Sequence, residues 1–231
     1  MKIPSKAFAV CAVGLSTIAG SSLQAQIVLN LPGAGESPSG TVVSTSSSLA
    51  GATFDIEYTV NAFAADETNV DAFIRSFGGT YFGVGSEADG TTNGQKESVD
   101  ANDGEQISIT GLSITNFNTG TSGLTSGDFT ISFNTLTITN GTAANDGVDI
   151  SFIGFGNTIA NQNPVTTVAL TSLSNYSSTA TSLFLEPDGS QSNNRWSVSG
   201  LSVSVVPEPS SFALLAGCFG LATIMLRRRK A

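Results

Sequence analysis

A chain of 231 residues without histidine cannot assemble a Ser-His-Asp triad, a histidine general base or a histidine-ligated zinc site. Most of its cations sit at the two ends, so residues 26–206 hold three (Arg75, Lys96 and Arg195) against seventeen acids, a net charge of −14. That stretch argues against binding nucleic acid or anionic lipid, and with Cys11 and Cys218 both outside it, it offers no disulfide, thiol nucleophile or thiolate metal ligand.

The first predicted element is a leader. Lys2 and Lys6 precede an apolar run at 7–18, and small residues then lead to Ala25. A basic start, about a dozen apolar residues and a small residue at the cut describe a secretory signal peptide. A spanning helix would need about 20 apolar residues, more than are present. The expectation is a leader at 1–25, passage through the Sec translocon, and cleavage by signal peptidase between Ala25 and Gln26.

Residues 26–206 have the length of one domain. Phe54, Ile56, Tyr58 and Val60 alternate with Asp55, Glu57, Thr59 and Asn61, the two-residue period of a half-buried strand. Similar patterns fall at 72–77, 81–84, 106–117, 128–139, 148–155, 165–173, 182–186 and 195–206, while 36–39 and 120–127 read as turns. No stretch of the body has a helical period with caps. The expected fold is all-β: a two-sheet antiparallel β-sandwich, jelly-roll-like because its strands are long and numerous.

Three of these strands change phase midway. Ile107 and Ile109 give way to Leu112 and Ile114, Phe133 to Leu136, and Val198 to Leu201. A step of three turns the apolar face outward unless a bulge absorbs the extra residue, and Gly111 and Gly200 stand at two of the steps.

Candidate sites are few. Asp55 and Glu57 share a strand face about 7 Å apart, loosely within the range in which paired carboxylates cleave glycosides. Alternating acids more commonly just wet the outside of a sheet. Further along, Glu87, Asp89, Asp100, Asn102, Asp103 and Glu105 form the densest acidic stretch, with the oxygen chemistry that calcium takes. The twelfth position from Asp100 is Gly111, where an EF-hand needs a glutamate, so no EF-hand is present; the alternative is a solvated hairpin loop. Calcium is the single cofactor candidate. Trp196, Tyr58, Tyr81 and Tyr176 are the rings suited to stacking on a sugar. Trp196 fits the apolar face of its strand, which leaves Tyr176, in a loop, as the expected exposed ring.

The last predicted element is a composite tail at 207–231. Pro207-Glu208-Pro209 is read as a stiff, exposed joint, since neither proline can continue a strand or helix through Glu208. Residues 211–226 carry no charge and make about 24 Å of helix, which flanking arginines can fit to a bilayer. Arg227, Arg228, Arg229 and Lys230 stop the run on the cytoplasmic side, leaving the body outside. In this order the three parts closely resemble the PEP-CTERM sorting signal of exported bacterial proteins. The resemblance implies recognition by an exosortase, a membrane cysteine protease-transpeptidase, with Pro207, Glu208 and Pro209 as the motif. It also implies a Gram-negative host that makes extracellular polysaccharide, which the resemblance offers as a partner.

The functional expectation is an exported, non-enzymatic surface or extracellular-matrix protein, held transiently in the inner membrane and then left at the envelope or outside the cell. A carbohydrate- or calcium-binding sandwich is the alternative, followed by a secreted glycoside-active enzyme.

Overall fold

Strand after strand, alternate side chains point into one core. The computed structural model describes residues 24–64, 72–77, 80–85, 99–100, 104–120, 124–140, 147–156, 160–162, 167–188 and 195–208. Its strands are β1 (Ala25–Val28), β2 (Gly35–Pro38), β3 (Thr41–Leu49), β4 (Ala52–Phe63), β5 (Phe73–Phe77), β6 (Tyr81–Gly85), β7 (Val99–Asp100), β8 (Gln106–Asn118), β9 (Phe129–Asn140), β10 (Val148–Ser151), β11 (Ala160–Gln162), β12 (Thr167–Ala169), β13 (Leu183–Pro187) and β14 (Arg195–Pro207). Two short 3-10 turns, Ser126–Asp128 and Leu170–Ser172, precede β9 and follow β12.

The strands form two antiparallel sheets packed as a sandwich, ordered β12-β9-β14-β6-β5-β2 and β11-β10-β13-β8-β4-β3. In the first sheet β1 and β7 also pair with β14. The chain crosses between sheets repeatedly after β4, so its last strand lies inside the first sheet, bordered by β9 along its length. Trp196, Tyr58, Phe82, Phe133, Ile56 and Leu136 are among the largest fully buried side chains of the shared core.

Each phase change is a bulge. In β8 the extra residue sits at Gly111, which takes φ +67°, a conformation that glycine adopts without strain. In β14 the register with β9 shifts between Val198 and Gly200, and between Ser202 and Val203 an extra residue on β9 restores it. Gly200 does not need a positive φ; a Cβ there would stand 3.2 Å from Thr137 Cβ, a tight contact that Thr137 would have to yield to by a few tenths of an ångström. A further bulge in β8 carries Asn116 at φ +47° and has no apolar signature in the sequence.

Several expectations are corrected. Residues 36–39 are not simply a turn: Gly35–Pro38 is an edge strand paired with β5, and Glu36 forms an ion pair with Arg75 across it. The strand β3 escapes detection because Thr45 occupies an inward position; its buried hydroxyl accepts the Asn30 N–H at 2.8 Å. The expected strand at 165–173 is a three-residue strand followed by a 3-10 turn. Pro207 does not end β14 before it: the strand includes Pro207, opposite Phe129. Proline's fixed φ suits extended backbone, and at a strand's last position its missing N–H breaks no continuing ladder. Among the described residues no helix is long and apolar enough to cross a membrane.

Candidate functional site

The most specific arrangement lies where β14 ends. Val205, Val206 and Pro207 are paired with Ile131, Thr130 and Phe129 of β9. The next residue, Glu208, donates its backbone N–H to the Asp128 carbonyl at 2.7 Å, and its carboxylate accepts a hydrogen bond from the Thr130 hydroxyl. Asp128 is itself fixed. Its carboxylate accepts from the Thr125 N–H at 2.7 Å and the Thr125 hydroxyl at 2.8 Å, and these bonds hold its pKa below the ordinary 3.8. Glu208 is thus exposed, as expected of the stiff joint, and in addition tied to the body by these two bonds.

Ala25 and Gln26 lie on the other side of β14, opposite Val205 and Ser204. The Gln26 amide donates to Ser202 at 3.1 Å and the Gln24 amide to Ser204, so the expected leader cut falls inside a paired strand. Pro209 and Arg227, Arg228 and Arg229 lie outside the described residues, as do Glu87, Asp89, Asn102 and Asp103. Of the remaining calcium candidates, the Asp100 backbone pairs with Arg195, and Glu105 is fully buried where a solvated loop was the alternative. Among the described residues no three acidic or thiol side chains converge as a metal site.

The aromatic candidates separate by depth. Trp196 and Tyr58 are core residues; Tyr58 donates its hydroxyl to the Asn30 carbonyl at 2.5 Å, and burial pushes its phenol pKa upward. Tyr176 is half-buried, correcting the expected exposed ring: its hydroxyl donates to the Phe133 carbonyl at 3.2 Å and its ring meets Phe152 edge-on at 5.6 Å. Tyr81 stacks on the more exposed Phe77, centroids 5.5 Å apart.

On the outer face of the second sheet, Asp55 sits in an open groove of about 580 Å³ with Ser46, Ser48, Thr53 and Asn116. Its carboxylate accepts from the Ser46 hydroxyl at 2.6 Å and the Asn116 amide at 2.8 Å, which lower its pKa. A carboxylate so held is a poor general acid, and the groove instead presents a fixed anion among hydroxyl and amide groups. A carboxyl raised toward neutrality lies elsewhere. Asp149, opposite Glu186 in the β10–β13 ladder, is pushed up to about 6 by burial, then by the charges of Asp188 and Glu186. Glu186 accepts from the Gly156 N–H at 2.9 Å and from the Gln106 amide at 3.3 Å, beside the edge-packed rings of Phe155 and Phe184. Sequence reading missed this group because Asp149 and Glu186 meet only through strand register.

A family model described as the PEP-CTERM protein-sorting motif matches residues 205–230. No curated protein and no solved structure matches the chain. The matched segment marks an exported protein sorted through an exosortase.

Proposed function

We propose that this protein is a non-enzymatic component of the cell surface or extracellular matrix, delivered as a folded β-sandwich. The leader at 1–25 takes it through the Sec translocon and is removed by signal peptidase. Residues 211–226 then hold it in the inner membrane, with Arg227, Arg228 and Arg229 inside, until an exosortase processes it near Pro207. The observation that carries this reading is the sorting motif at 205–230, which begins within the body's last strand. A body without histidine or thiol, whose Asp55 carboxylate is held ionised, supports the non-enzymatic part. The repeated sheet crossings support a jelly-roll arrangement. Intact masses of the protein from producing cells and from their medium test the proposal by reporting both cuts. A full-mass chain found in the cytosol overturns it.

A second reading, a binding module for envelope polysaccharide, is favoured by the Asp55 groove, whose carboxylate is oriented by Ser46 and Asn116. Fixed acceptors beside hydroxyl and amide groups suit a polyhydroxylated ligand. Calorimetric titration with the host's polysaccharide, repeated with Asn116→Ala, tests it; equal heats in the two proteins remove the groove from consideration. Calcium enters this reading through the acidic stretch ending at buried Glu105, and a calcium titration that releases no heat and moves no melting point discards it.

A further inference from the structure

We propose that the folded body keeps the sorting motif latched, and that the processing enzyme works on the fraction of molecules in which the end of β14 has come away from β9. This rests on the reading that processing occurs near Pro207. In Pro207-Glu208-Pro209 both prolines lack a backbone N–H, so the tripeptide owns one main-chain donor and one charge, both at Glu208. The body engages each of them. The donor goes to the Asp128 carbonyl at 2.7 Å and the carboxylate to the Thr130 hydroxyl.

The partners are not incidental surface groups. Thr125 caps the 3-10 turn Ser126–Asp128 through the Asp128 carboxylate, and the Asp128 N–H returns to the Thr125 carbonyl at 3.0 Å, fixing the carbonyl that receives Glu208. Thr130 is held in register by the β9–β14 ladder, opposite Val206. Enzymes that read an extended peptide commonly pair with its backbone and bind its charged side chain. Here both handles are already in use. Strand ends open locally far more readily than cores, so the enzyme's effective substrate is the frayed end and its apparent affinity falls with that population.

Thr130 and Thr125 therefore act as positioning residues that set the processing rate from within the body. Pulse-chase of the full-length chain in producing cells, following conversion of precursor to the shortened form, tests this. Thr130→Val removes the hydroxyl with little change of shape and is expected to speed conversion by about three- to tenfold, the scale of one exposed, charge-assisted hydrogen bond. Thr125→Val, which loosens the turn, is expected to act in the same direction. Val206→Cys with Thr130→Cys, a facing pair in an oxidising exterior, is expected to stop conversion until reductant is added. Unchanged or slower conversion of Thr130→Val, or normal conversion of the cross-linked protein, overturns the latch alone. A wild-type precursor that is never shortened overturns the processing reading as well.

Discussion

Asp149 is a carboxyl on which burial and the charges of Asp188 and Glu186 act together. Its pKa is pushed up to about 6 from an ordinary 3.8, so between about pH 4 and 6 the folded chain binds a proton that the unfolded chain has lost. Stability from this group is full below that window and declines as pH rises through it. Asp55 and Asp128 run the opposite way: their lowered pKa values favour folding above the ordinary 3.8 and cease to do so as pH falls below it. Asp149→Asn is expected to raise the melting temperature at pH 7 by about 1–3 °C, allowing for solvent screening, and to flatten the slope between pH 4 and 6. Thermal melts of both proteins across that range check it, and an unchanged slope would assign the pH dependence elsewhere. None of this was readable from residue types, because burial and the facing Glu186 are products of pairing.

At the level of the strand, more was legible. Three breaks in apolar alternation placed three bulges, because a slip of one residue would otherwise put leucine and isoleucine in water. Gly111 and Gly200 were recognisable at two of them, yet they serve different needs, a left-handed backbone in one and a close approach to Thr137 in the other. Gly111→Ala is expected to cost about 1–2 kcal/mol from backbone strain alone, since no atom lies within 4 Å of the added methyl. Urea denaturation measures this; a neutral effect would show that the bulge relaxes. The strand β3 was hidden by its hydroxyls, and the tie on Glu208 was hidden because it depends on where β9 begins, with Thr130 lying 78 residues earlier in the chain. The sorting motif itself was fully visible, being a local string of charge, proline and apolar residues.

Across the whole molecule, one core serves both sheets, and Phe133 is fully buried in it. Phe133→Ala is expected to cost about 3–5 kcal/mol by chemical denaturation, a large part of the roughly 5–15 kcal/mol that holds a domain together. A smaller loss would mean that the two sheets close over the vacancy. β1 and β14 lie antiparallel, a register that sets Gln26, the first residue after the expected leader cut, beside Ser204, three residues from Pro207. Tension drawing these neighbouring ends apart loads the rungs of that ladder singly, from the outside inward, like a zip and not like a sheared plank. A molecule pulled between its first residue and its tail is expected to part first at this seam, with β1 peeling from β14.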